Sequence, residues 1–289
     1  ERLTDDLAAA AWRAFQSIEG GGGMLADLGA GTLAAAIAAS WEQRRGNIGT
    51  RKDPITGVSE FPQLAEPTVH VEQPDLAAIK RGCDERRAAA APDATDALAV
   101  LDADAGAQAL IDAAAAGGSI GSITAALTGD AGAGGHIAPL PVHSFAEDFE
   151  RLRDACDARR PHAFLANMGP VAHHTARATW SSNVLQAGGI AVLGNDGFDS
   201  AAAAAEAFAA SDATIAVICS SDKLYPEYAA DTARALKKAG ARCVILAGRP
   251  GDDATRQAWS EAGIDRFIHI GVPVLDILTD LLTEEGVLA

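Results

Sequence analysis

From residue 160 onward the chain alternates short apolar runs with helical segments, and no other feature constrains its fold as strongly. The runs are residues 163–166, 189–193, 215–219, 243–247 and 267–270. Runs this short with helical stretches between them read as strands of a parallel sheet, because a chain leaving one parallel strand needs a crossover helix to return to the next. Right-handed crossovers over a segment of this length favour the strand order 2-1-3-4-5. The expected fold is therefore an α/β, flavodoxin-like, doubly wound five-stranded sheet over residues 160–289.

The preceding half is less regular. Thr4, Asp5 and Asp6 supply an N-cap and first-turn acids, and Leu7, Ala11, Trp12, Phe15 and Ile18 recur on one face, which predicts a packed helix. Gly20 to Gly23 ends it, and Leu33, Ile37 and Trp41 mark a second helix that stops near Gly46. Residues 51–62 read as a short buried strand leaving a loop. From residue 66 to about 138 the composition shifts to Ala, Asp, Gly and Pro, so that only short helices are expected, over 76–87, 108–116 and 119–127. A charged helix over 144–158 follows, with Phe145, Phe149 and Leu152 as its buried stripe.

Composition excludes several classes. Lys+Arg of 23 against Asp+Glu of 39 gives a net charge of −16, which disfavours nucleic acid unless the charge is locally asymmetric. No run approaches the ~20 apolar residues needed to span a bilayer. The cysteines Cys83, Cys156, Cys219 and Cys243 show no paired or metal-ligand spacing, so reduced thiols of a cytoplasmic protein are expected, with no metal site. The chain begins at Glu1 with neither a Met nor an apolar leader, which suggests a piece of something longer.

In a sheet of this order, ligands bind beyond the carboxyl ends of the strands, here at loops 167–175, 220–226 and 248–253. The first carries Asn167-Met168-Gly169-Pro170-Val171-Ala172-His173-His174-Thr175-Ala176. This stretch resembles the loop of the cobalamin-dependent acyl-CoA mutases that bears the pattern Asp-x-His-x-x-Gly. In that family the histidine ligates cobalt, the aspartate orients its imidazole, and the glycine leaves room for the nucleotide tail. His173 aligns with the ligand, but Val171 stands in place of the carboxylate and Ala176 in place of the glycine. Loss of an orienting acceptor lowers metal affinity by roughly 10 to 100-fold. Ser220 and Ser221 occupy the place of the family's Ser-x-Leu motif, with Asp222 for its apolar residue, and Ala247-Gly248 replaces a Gly-Gly pair. The resemblance thus implies a cobalamin-facing set of His173, Ser220, Ser221 and Gly248 in degraded form, with His173 a structural residue at a helix start rather than a cobalt ligand, and no catalytic residue.

The resemblance covers essentially the whole chain. Residues 1–65 look like the closing elements of the mutase (β/α)8 substrate barrel, and residues 66–159 like the linker that crosses the mutase surface. The segment Ile55-Thr56-Gly57-Val58-Ser59-Glu60-Phe61-Pro62, together with the altered loop, points to the small subunits of heterodimeric methylmalonyl-CoA mutases. That implies a non-catalytic chain whose partner is a large catalytic subunit holding adenosylcobalamin, in a complex that interconverts the CoA thioesters (R)-methylmalonyl-CoA and succinyl-CoA. Two rivals remain: a stand-alone cobalamin carrier or sensor that uses His173, and a flavodoxin-like nucleotide or signalling domain. Asn167 and Met168 stand where the latter would need an acidic cluster, and Pro170 removes an amide from any phosphate-cradling loop.

Overall fold

The computed structural model describes residues 1–66, 70–89, 94–102, 104–129 and 137–288. In chain order the helices of the first half are α1 (Arg2–Gly20), α2 (Gly23–Ala30), α3 (Thr32–Gly49), α4 (Leu76–Ala89), α5 (Thr95–Ala99), α6 (Ala107–Ala115), α7 (Ile120–Thr128) and α8 (Glu147–Cys156). The second half alternates: β1 (His162–Asn167), α9 (Val171–Ala187), β2 (Ala191–Leu193), α10 (Ala201–Ala209), β3 (Ile215–Cys219), α11 (Tyr225–Lys238), β4 (Cys243–Ala247), α12 (Asp253–Glu261), β5 (Arg266–Ile268) and α13 (Val274–Glu284). Two compact units result, residues 1–30 with 67–139, and residues 31–66 with 140–289.

In the first unit, α5, α6 and α7 contact one another, with Ala94, Leu101 and Ala113 buried. Helix α1 starts three residues earlier than expected, its N-cap being Glu1 and Thr4 lying inside its first turn, and its apolar stripe is not covered. Leu7 is 69%, Trp12 60% and Phe15 49% exposed, and the last two rings stack at 5.2 Å. The expectation of a packed helix is corrected here: periodicity identifies a face, not what covers it.

In the second unit the sheet has the order β2-β1-β3-β4-β5, all parallel, as the apolar runs predict. Successive residues alternate between two cores. Ala163, Leu165, Ile215, Val217, Cys243 and Ile245 face one layer with α3, α8, α9 and α13; Phe164, Ala166, Ala216, Ile218, Val244 and Leu246 face the other with α10 and α11. Burial on both faces is why these strands read as continuous apolar runs rather than as alternating ones. The edge strands are shorter than their runs: β2 omits Gly189 and Ile190, and β5 ends before Ile270, which is 85% exposed.

Two further expectations change. Residues 51–62 form no strand: the amides of Val58, Ser59 and Glu60 all donate to the Ile55 carbonyl, and only an isolated bridge joins Thr56 to Glu60. Arg51, Gly57 and Phe61 have φ values of 59°, 81° and 52°, which break an extended run. In the stripe of the charged segment, Phe149 and Leu152 are buried, but Phe145 precedes α8 and is half exposed, stacking on Trp41 at 6.1 Å.

Candidate functional site

The carboxyl ends of β1, β3 and β4 are joined into one hydrogen-bonded layer. The Met168 amide donates to the Cys219 carbonyl at 2.8 Å, extending the β1–β3 ladder by one residue. Gly169, at φ 77°, then turns the chain so that Pro170 caps α9. A Cβ at Gly169 would lie 3.1 Å from Leu224 Cδ1, so this turn is pressed against the loop that follows β3.

His173 lies in the first turn of α9, and its Nδ1 is 2.9 Å from the Ser221 hydroxyl. A hydroxyl can accept an imidazole N–H, so Ser221 orients this ring from across the switch point, although the carboxylate expected two residues upstream is replaced by the exposed Val171. The sequence argument that His173 lacks an orienting partner is thus corrected, the partner being neutral and distant in sequence. Ala176, one turn on, is exposed.

Ser220 is wholly buried and donates from its hydroxyl to the Met168 carbonyl at 2.9 Å. Its amide donates to the Tyr225 hydroxyl at 3.1 Å, and that hydroxyl donates to the Ala247 carbonyl at 2.5 Å. The same carbonyl accepts from Arg177 Nη1 at 2.8 Å, while Arg177 Nη2 pairs with Asp222 at 2.9 Å. Burial raises the Tyr225 phenol well above its ordinary pKa, so it stays protonated and can donate. Gly248 lies directly beyond: a Cβ there would come within 2.9 Å of Tyr225 Cε2, 3.1 Å of Leu246 Cδ2 and 3.3 Å of Arg177 Nη1.

The structure therefore brings Ser220 and Gly248 together through Tyr225, and His173 to Ser221, at the same end of the sheet. Tyr225, Arg177 and Asp222 were missed as a cluster. The available signal was the apolar tyrosine at the first position of α11 beside Pro226, where a helix start needs no tyrosine.

On the β2 side, Asn167 Nδ2 donates to the Asn195 carbonyl, and Asn195 Nδ2 to the Leu165 carbonyl at 2.6 Å. His174, in the first turn of α9, is 4% exposed, with no hydrogen-bond partner for either ring nitrogen among the described residues. Burial pushes its pKa below the ordinary value, opposed by an Asp196 backbone group that falls short of hydrogen-bond geometry. Cys219 and Cys243, buried on the sheet, have thiols pushed up to about 12, which keeps them protonated and unreactive. No single described helix is long and apolar enough to cross a membrane.

The family model for methylmalonyl-CoA mutase matches residues 1–133. Along 99% of its length the chain is 38% identical to the methylmalonyl-CoA mutase small subunit of Streptomyces virginiae, covering 37% of that protein. It is 29% identical to the small subunit of Propionibacterium freudenreichii subsp. shermanii and 28% to the probable small subunit of Mycobacterium bovis, covering 36% of each. The chain thus spans little more than a third of the length of the curated relatives it matches. Over nearly its whole length the chain is similar to a part of methylmalonyl-CoA mutase small subunits.

Proposed function

We propose that this chain is part of a non-catalytic small subunit that supports a cofactor-bearing large subunit in a cytoplasmic, adenosylcobalamin-dependent methylmalonyl-CoA mutase. In this reading residues 1–65 close a substrate barrel, 66–159 link it across the surface, and 160–289 form a sheet domain that has kept the cobalamin-binding fold without the ligand. The CoA thioester and the cobalamin belong to the complex and its partner chain.

One observation carries the reading: the crevice beside Gly248 is filled by the buried ring of Tyr225. A small residue there serves a bulky group only if the space it frees stays open, and here not even a methyl fits. Leu224 closes the β1 turn in the same way at Gly169. With Val171 unable to accept a hydrogen bond, these residues do not fit a cobalamin tail, and no step through that cofactor is assigned to this chain. His173, Ser220, Ser221 and Gly248 act instead as structural ties between strand ends.

Absorption spectroscopy of the intact subunit with excess adenosylcobalamin tests this. The expected result is no shift to a histidine-ligated form, with cobalamin retained only when a large subunit co-purifies. A stoichiometric shift abolished by His173→Ala would overturn it in favour of a cobalamin carrier or sensor.

A further inference from the structure

Among the described residues, only two other than glycine have a left-handed backbone, and both sit in one segment: Arg51 at φ 59° and Phe61 at φ 52°. That region crowds Cβ against a carbonyl oxygen, so a bulky residue holds it only when its surroundings impose it. Phe61 gains little burial in return, being 71% exposed.

The surroundings here are single side chains rather than a strand ladder. Arg51 Nη2 donates to Glu60 Oε1 at 3.0 Å and to Asn183 Oδ1 of α9 at 2.6 Å, closing the segment on itself and onto the helix. Arg153 Nη1 of α8 donates to the Gly57 carbonyl at 3.1 Å, and Arg160 Nη1 to the Leu64 carbonyl at 3.3 Å. The apolar share is small, since Ile55 and Val58 pack against the α9 layer only partly buried.

The catch itself carries a cost. The Arg51 side chain is 7% exposed, yet its Nε and Nη1 are buried with no hydrogen-bond partner among the described residues. Burial accordingly pulls the guanidinium below its ordinary pKa, with Glu60 opposing. Opening would hydrate both nitrogens and free both φ angles, so a few polar ties hold the closed form against a standing penalty. The segment is also where the chain leaves the sheet-bearing unit for residues 67–139, so its state sets how firmly that exit is held.

We propose that residues 51–64 are a latch, fastened by Arg51 to Asn183, that opens as a unit while the sheet stays folded. Local opening of this kind belongs to segments with few buried apolar contacts. The latch is independent of whether the sheet domain meets a cofactor.

Hydrogen exchange of the intact protein tests this. The amides of Val58, Ser59 and Glu60, all bonded to the Ile55 carbonyl, report the latch, and those of β3 and β4 report the sheet. In the parent the latch amides should be protected at least ~100-fold less than the sheet amides. Asn183→Ala should lower latch protection by a further ~10-fold and leave the sheet unchanged. Phe61→Asn, which places a residue tolerant of this φ, should raise latch protection ~5-fold. Phe61 lies on the surface, so this variant decides the matter should the Asn183 variant fail to fold. Equal protection of latch and sheet in the parent, an Asn183→Ala effect shared equally by both, or latch protection not raised by Phe61→Asn would each overturn the proposal.

Discussion

The Tyr225 hydroxyl, 2.5 Å from the Ala247 carbonyl oxygen, ties the start of α11 to the end of β4 across the carboxyl edge of the sheet. It also accepts from the Ser220 amide, so one phenol joins the ends of β3 and β4.

Tyr225→Phe should therefore destabilise the sheet domain by ~1–3 kcal/mol, the cost of leaving a buried group unpaired. Ala247 keeps its bond from Arg177, so the orphan is the Ser220 amide. Urea unfolding of the two proteins measures this, with a shifted midpoint and an unchanged slope expected. A difference below ~0.5 kcal/mol, the level of an ordinary surface change, would mean that the phenol does not hold the two strand ends.

Gly248→Ala should cost ~1–3 kcal/mol by overfilling the space against Tyr225, Leu246 and Arg177. Gly194→Ala, at a position with nothing within 4 Å of a new Cβ, should stay within ~0.5 kcal/mol of the parent. Thermal melts of both variants separate a crowded crevice from an open one. Equal melting temperatures would show that space remains beside Gly248.

The five strands were legible because a parallel sheet buries both faces, so that residues 215–219 or 243–247 have no polar alternate positions. The edges were less so: Ile270 extends an apolar run that the ladder does not use. Residues 51–62 misled because Ile55, Val58 and Phe61 look like strand residues, whereas three positive-φ residues and a shared carbonyl make the segment a loop. At the site, the loop of His173 was visible as a motif with named departures. Ser221 as the partner of His173, and Tyr225 as the filler of the Gly248 crevice, depend on which strand ends become neighbours, and that emerges only from the assembled sheet.

Gly197 poses a separate test of how His174 is accommodated. Its φ of 109° strains any side chain, and a Cβ there would lie 2.8 Å from His174 Nε2. Gly197→Ala should cost ~1–3 kcal/mol for the backbone alone, with a further contribution from the ring. In a double-mutant cycle with His174→Ala, the second contribution disappears while the first persists, giving a coupling above ~0.5 kcal/mol by denaturant unfolding. Strict additivity would show that the ring yields freely.

Asp148 gives the domain a pH-dependent anchor. It is bound by Arg45 through two hydrogen bonds of 2.6 and 3.0 Å, and by Arg151 at 3.3 Å, fastening α8 to α3. The Arg45 hydrogen bonds hold its carboxyl below the ordinary value of 3.8, with the charges of Arg45, Arg151 and His143 adding to them and burial opposing. A folded-state pKa below the unfolded one means that the folded protein binds fewer protons, so this stabilisation is complete above the unfolded value and is lost as pH falls through the folded one. Asp148→Asn should cost ~1.5–3 kcal/mol at neutral pH, typical of a hydrogen bond to a charged group. The gap between parent and variant should close as pH falls below about 4, the ordinary aspartate range. Denaturant unfolding across that range reads the two curves, and a gap that stays constant with pH would mean that the pair is held by shape rather than by charge.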